Sequence, residues 1–300
     1  DGGAAVTALT LDMSDAGTAT FNHDVKATGN FDLPNANTFI TGAGHNVVQV
    51  DSTKTYLYGG TGGVQFRTAD NASALIDISN AGILSTVTAG TSNLRLGVTA
   101  GDAIASGAAY NVLIGDQAGS AISTGDFNTA VGFQSLLIED EHGHNTAIGY
   151  RALKALNAGV NGYNTVVGSD AGLTMSTGHS NTLIGSEAGN KLQDGLRNVA
   201  VGNASGYTNI SGVDNTHVGF AAGYLSTGTR NTFVGARNDT YGCGQLMTTG
   251  GKNTFLGAFS GNVTGLDLRT SSNNIVLADG DGNPRFYYVG SGNYWNLGTT

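Results

Sequence analysis

The sequence predicts an all-β chain, a trimeric parallel β-solenoid fibre (a β-roll or β-helix) preceded by a β-rich N-terminal shaft. Three observations carry this reading. A five-residue motif, Asn-Thr-x-Val/Ile-Gly, returns at near-fixed intervals through the second half of the chain. A column of small residues returns in step with it. The composition suits thin repeated strands, with 48 Gly, 2 Pro, 12% charged and 39% hydrophobic residues among 300.

Residues 1–100 are expected to form the shaft, or a meander. Short runs of alternating character are separated by turn clusters. They are Leu9–Met13, Thr20-Phe21, Val47–Val50, Tyr56–Tyr58, Val64–Phe66 and Leu75–Ile78. Gly59–Gly63 and Asp70–Ser73 supply turn chemistry between them. A distant repeat links Leu11-Asp12-Met13-Ser14-Asp15-Ala16-Gly17 to Ile76-Asp77-Ile78-Ser79-Asn80-Ala81-Gly82. Each copy reads as a strand followed by a tight reversal. No segment has the length and period of a stable helix; Arg151–Leu156 offers one turn at most.

Residues 101–270 are expected to be the solenoid, about ten rungs. The motif starts at Asn111, Asn128, Asn145, Asn164, Asn181, Asn198, Asn215, Asn231 and Asn253, with a degenerate copy at Asn274. Successive steps are 17, 17, 19, 17, 17, 17, 16, 22 and 21 residues. A period of this kind marks stacked supersecondary units. A disordered tract would not keep one aliphatic in strict register. Seventeen residues suit a coil of two strands of about five residues and two turns. Ten coils at ~4.8 Å each make a rod roughly 48 Å long.

Within the unit, Asn+1 and Asn+3 share one face of an extended segment and Asn+2 the other. Asn+3 is always a medium aliphatic, from Ile114 and Val131 to Leu277, so it is expected inside. Asn+2 ranges from Ala130 to His217 and Phe255, so it is expected to face a neighbouring chain or solvent. Gly at Asn+4 implies a turn or a close backbone approach. Small residues at Asn+7 (Ala118, Ser135, Ala152, Ala171, Ala188, Ser205, Ala222 and Ser260) imply a stacked column. A Gly preceding most motif Asn residues reads as a turn.

Residues 271–300 are expected to close the rod with a β-hairpin cap. Ile275–Ala278 and Arg285–Val289 would pair across Asp279-Gly280-Asp281-Gly282-Asn283. The same five residues have the alternating oxygen spacing of a calcium loop, but Pro284 stands where the next glycine belongs. The turn reading is preferred.

One narrow coil buries one or two large aliphatics, about 2–5 kcal/mol of transfer free energy. Ordering seventeen residues costs several times that. Chains are therefore expected to associate laterally, as homotrimers. Net charge −9 opposes nucleic acid or an anionic membrane surface as partner. The single Cys243 excludes an internal disulfide framework. No apolar run has the length of a membrane span. The start at Asp1 without Met is expected of a processed or partial chain.

The NTAVG and NTAIG repeats with a following xxAG resemble collar and fibre regions of bacteriophage tail fibre proteins. Leu11–Asn22 and Asn273–Asn283 are similar to segments of the same class. The repeats also resemble head domains of trimeric autotransporter adhesins, which share an Asn-x-x-Ile-Gly core but have a shorter repeat. The resemblance covers 111–283 well and 1–100 loosely. It implies a homotrimeric, extracellular virion fibre whose partners are other phage tail proteins and a host cell-surface glycan or protein. A C-terminal chaperone domain of the kind often found in that family is not recognisable. The alternative reading is a bacterial surface adhesin or extracellular filament subunit.

Candidate chemistry is sparse. His142-Gly143-His144 is the one histidine cluster. In a threefold assembly it looks like the His-x-His iron sites of some phage fibres, but a polar turn accounts for it, so no metal or other cofactor is expected. No nucleophile elbow, Walker loop or HExxH is present. The acids are scattered, so no catalytic residues are assigned and an enzyme is not expected. Phe133, Tyr150 and Phe220 at Asn+5 could stack on sugars or pack between chains. The long step from Asn231 to Asn253 is expected to hold a protruding loop within residues 236–251. Tyr241 and Met247 are its candidates for a binding surface or a chain contact.

Overall fold

A computed structural model describes residues 92–298, apart from 105–106, 264 and 293, and, ahead of these, six strands between residues 38 and 85. The chain divides into two compact units, Asp1–Val64 and Gln65–Thr300. The first contains an antiparallel sheet of β1 (Thr38–Gly42), β2 (His45–Val50) and β3 (Thr55–Leu57). A second three-stranded sheet joins β4 (Val64–Arg67), β5 (Ala74–Ile78) and β6 (Leu84–Ser85). Four of the six expected strands of this region are thus present. Leu9–Met13 and Thr20-Phe21 lie outside the described residues.

The repeats form a parallel β-solenoid. Its strands are β7 (Leu94–Leu96), β8 (Val112–Ile114), β9 (Thr129–Val131), β10 (Thr146–Ile148), β11 (Thr165–Val167) and β12 (Thr182–Ile184). They continue as β13 (Val199–Val201), β14 (Thr216–Val218), β15 (Thr232–Val234) and β16 (Thr254–Leu256). After a small hairpin of β17 (Asn262–Val263) and β18 (Leu266–Asp267), β19 (Ile275–Ala278) completes eleven parallel strands. Motif positions pair with themselves: Thr146 with Thr165, Ala147 with Val166, Ile148 with Val167. The ladder opens one coil before Asn111, in Asn93-Leu94-Arg95-Leu96-Gly97. β20 (Pro284–Val289) and β21 (Tyr294–Leu297) then fold back antiparallel, so the expected hairpin is present.

The coil differs from the expected pair of five-residue strands. From β7 to β15 each coil carries one three-residue strand, and the rest of its circuit is built of turns. Among the described residues there is no helix. The turns are still laddered. Gly119 donates its N–H to Ser135 O, and Gln134 donates to Asp116 O, one coil to the next. These turns need left-handed backbone at fixed points. Arg197, Asp214 and Arg230, each just before a motif Asn, have φ of 54°, 61° and 58°.

The inside and outside of the strand are the reverse of the expectation. In every strand from β8 to β16, and in β19, the central residue, Asn+2, is buried, as in Leu113, Ala147, Leu183, His217 and Phe255. The aliphatic at Asn+3 faces outward; Ile148, Ile184 and Leu256 are 38%, 39% and 41% exposed. The reason is compensation. Where Asn+2 is large, Asn+8 is Gly, or for Phe233 the Gly244 that the insertion displaces from that count; where Asn+2 is Ala130 or Ala147, Asn+8 is Leu136 or Leu153, both buried. A Cβ at Gly189 would lie 2.9 Å from Leu183, and one at Gly223 2.7 Å from the His217 ring. In these coils the interior volume is shared between the two positions and not fixed at either one.

A second core column at Asn+11 holds Ile104, Ile122, Leu156, Met175 and Leu192. The small residues at Asn+7, from Ala118 to Ser260, are all buried. The Asn+4 glycines stack backbone on backbone: a Cβ at Gly185 would meet Gly202 O at 2.5 Å.

The motif asparagines are the main polar feature of the interior, and their role was not visible in the turn reading. They form a ladder from Asn93 to Asn274. Asn181 Oδ1 accepts the backbone N–H of Asn198 at 2.9 Å and its Nδ2 at 3.1 Å. Asn198 Nδ2 also donates to Gly212 O at 2.7 Å, in the coil beyond. In most coils a glycine before the next motif is where that amide lands. Each buried amide is thereby satisfied by the coils above and below, the condition for placing it in a dry core.

Candidate functional site

Two surfaces and one corner stand out from this frame. The first surface is the outer face of the strand ladder. Because Asn+2 points inward, Asn+1 (Thr, except Val112 and Val199) and the aliphatic at Asn+3 form parallel outward columns along β8–β16. Aromatic rings extend it. Tyr110, Phe127, His144 and Tyr163, each just before a motif Asn, stack with centroids 5.1, 5.1 and 4.9 Å apart. Phe133 and Tyr150 stack at 5.7 Å, and Phe220 lies under the Arg237 guanidinium. Tyr110, Phe127, Tyr150, Tyr163 and Phe220 are about half exposed. Exposed apolar area of this extent calls for cover.

The second surface lies where the period lengthens. Five extra residues separate Gly235 from Cys243, compared with the Gly219–Ala222 interval one coil earlier. They form a compact turn in which Asn238 Oδ1 accepts the N–H groups of Thr240 and Tyr241 at 2.9 and 2.6 Å. The β17–β18 hairpin is the insertion of the next coil, because Gly261 and Leu268 close directly on each other at 2.8 Å. The two insertions and the β19–β20 turn line a shallow cleft of about 360 Å³. Asn238, Asp239, Thr240, Tyr241, Asn262 and Asp281 contribute to it.

The sequence candidates divide here. Tyr241 lines the cleft and is exposed. Met247 does not belong to the loop surface. It is fully buried among Phe233, Phe255, Phe259 and Leu268, because the extra residues end before Cys243 and Met247 falls in the Asn+11 column. Cys243 takes the buried small-residue position, and burial pushes its thiol up to about 12. In the Asp279 turn, the Asp279 carboxylate accepts the N–H groups of Asp281 and Asn283 and pairs with Arg285. That geometry is the hairpin turn.

The His142-Gly143-His144 pair is split. His144 sits between Phe127 and Tyr163 in the outer aromatic stack. His142 turns to the corner, where its Nδ1 lies 3.4 Å from Glu139 Oε1. Glu139 is fully buried and was missed by sequence reasoning, although its register was a readable signal: it is Asn128+11, where Ile122 and Leu156 stand in the adjoining coils. Burial pushes its carboxyl above the usual range, against the pull of the Ala158 and His142 N–H groups. His217, expected at the surface, is buried, and burial holds its imidazole down at about 4.

The fold and its surfaces define a parallel β-solenoid with an uncovered strand face and a decorated C-terminal end. Comparison with family models, curated proteins and solved structures finds no match to this chain. Among the described residues no helix is long and apolar enough to cross a membrane.

Proposed function

We propose that this chain is a structural, non-catalytic fibre subunit of a virion, part of a tail fibre, assembled as a homotrimer outside the cell. The observation that carries the reading is the outward aliphatic column at Asn+3, flanked by stacked aromatics, on a coil too thin to be stable by its own core. Three such faces turned toward one axis bury each other, and the strict choice of Val, Ile or Leu at an outward position is what a repeated self-contact needs. The resemblance of the NTAIG-type repeats to phage tail fibres supports the virion setting. The rod then positions a host-binding surface, and the cleft around Tyr241 has the chemistry of one: an aromatic face beside amide, hydroxyl and carboxylate groups suits a cell-surface glycan or a polar protein loop.

Light scattering of the full chain tests the assembly. About three chains per particle are expected, and electron micrographs should show rods. A folded monomer that persists at micromolar concentration would overturn the reading.

A further inference from the structure

We propose that the corner formed by Glu139, Asp140 and His142 is a binding site for one divalent transition cation of the zinc class. This proposal stands apart from the fibre reading and uses neither the outer face nor the insertion cleft. One oxygen each of Glu139 and Asp140 and one ring nitrogen of His142 lie within 4.8 Å of one another. Bond lengths of about 2.0–2.2 Å in a tetrahedral site require ligand atoms roughly 3.3–3.5 Å apart. The 3.4 Å between His142 Nδ1 and Glu139 Oε1 already meets that. Only the Asp140 carboxylate, half-buried at the rim, has to close in.

Three features of the corner support a cation. Glu139 puts a carboxylate into a column that is Ile104, Ile122, Leu156, Met175 and Leu192 in neighbouring coils. Its oxygens accept only two neutral donors, the N–H of His142 at 3.3 Å and that of Ala158 at 3.1 Å. A buried carboxylate so weakly compensated is costly unless it meets a positive charge. The His142 Nδ1 is shielded from solvent and has no hydrogen bond, though it points at the carboxylate. A metal ion would satisfy both atoms at once. Finally, the corner is locally widened: the next coil takes 19 residues, and Ala158, in its longer turn, is the one that reaches Glu139.

The donor set names the class of ion. Imidazole nitrogen with two carboxylates suits zinc, cobalt or nickel, while calcium and magnesium take oxygen donors in greater number. Three protein donors leave a position for water. Glu139 Oε2 and Asp140 Oδ1 keep their bonds to Ala158 N and Glu141 N, which orient the carboxylates from behind.

Calorimetric titration of the full chain with Zn²⁺ at pH 7.5, with Ca²⁺ and Mg²⁺ as controls, tests the proposal. One saturable Zn²⁺ per chain is expected, with a rise in melting temperature, and neither control ion should compete. Co²⁺ should give the visible absorption of a four-coordinate site. His142→Ala and Glu139→Gln should weaken Zn²⁺ binding at least ~100-fold, since even changes behind the ligands cost about 10–100-fold. Asp140→Asn, at the rim, carries the same test if Glu139→Gln does not fold. His144→Ala should leave affinity unchanged. Absence of saturable Zn²⁺ binding, or binding that survives both His142→Ala and Asp140→Asn, would overturn the assignment.

Discussion

The coils before Val201 and those after Val218 solve one packing problem with different materials. In the earlier set the interior is aliphatic, a continuous cluster from Ala100 to Ala200, and the step stays close to 17 residues. In the later set the interior is aromatic and sulfur-rich, with Phe233, Phe255, Phe259, Cys243 and Met247, and the steps lengthen to 22 and 21. Yet the strand ladder crosses both without a slip: Thr216 pairs with Thr232, and Thr232 with Thr254. The coil therefore tolerates added residues at its corner and added volume in its core, provided that the Asn ladder and the Gly column keep their places. Between the two sets the interior is polar, with His217, Ser205, Asn209 and Ser226 all buried. There His217 Nε2 and Asn209 Oδ1 have no partner among the described residues. Ala200 and Gly206 are both small, and the His217 ring leans into the space they leave.

The largest expected effect breaks the inside–outside assignment shared by both sets. Leu183→Asp places a carboxylate in the dry column and should cost more than ~4 kcal/mol, enough to unfold the neighbouring coils. Ile184→Asp, one residue on, should leave the secondary structure by circular dichroism intact and lower the state of association instead. Equal losses of thermal stability in the two variants would show that the assignment is wrong.

A smaller effect sharpens the boundary between the sets. The His217 pKa falls from 6.5 to about 4 on folding, so the unfolded chain binds the proton more readily between those values. Stability is then fully present above pH 6.5 and declines as pH falls toward 4, by roughly 3 kcal/mol at about 1.4 kcal/mol per pH unit. Glu139 works in the opposite sense, since its raised pKa favours the folded state at low pH and withdraws that contribution as pH rises. His217→Phe, which extends the stack of Phe233 and Phe255, should remove most of the acid loss. Melting curves from pH 7 to 4 on both proteins read the difference, and identical slopes would refute it.

The smallest effect concerns the insertion. Removing Ala236–Thr240 restores the usual interval between Gly235 and the buried small position now held by Cys243. Shortening a corner loop should change stability by less than about 1 kcal/mol, because closure entropy varies slowly with loop length. Assembly by light scattering should be unchanged, while the cleft around Tyr241 is lost. Collapse of the fold on this deletion would mean that the turn held by Asn238 is part of the coil.

Much of the later architecture was legible before any coordinates. The recurring Asn, aliphatic and Gly set the parallel ladder, the coil register and the terminal hairpin. The N-terminal strands around Val48, Tyr56, Gln65 and Asp77 were readable from alternation and turn clusters. The insertion was legible as a long step, though not its exact corner, which made Met247 look like loop when it belongs to the core. For the candidate site, His142 was visible as half of a His-x-His pair. Its true neighbour, Glu139, was hidden because one must know that Asn+11 points inward before a Glu there becomes conspicuous.

By itself, the sequence determined the period, since repetition of hydrogen-bonding and turn residues admits only stacking in register. It also determined where the chain must approach itself too closely for a side chain, at the Asn+4 glycines. Only the tertiary structure decided which face of the three-residue strand is interior. Periodicity of two separates the faces but does not label them, and a strict aliphatic looked more like core than a position running from Ala to Phe. The label depends on volume shared across a coil, Leu183 against Gly189 and Ala147 against Leu153, and that sum is a property of side chains brought together by folding.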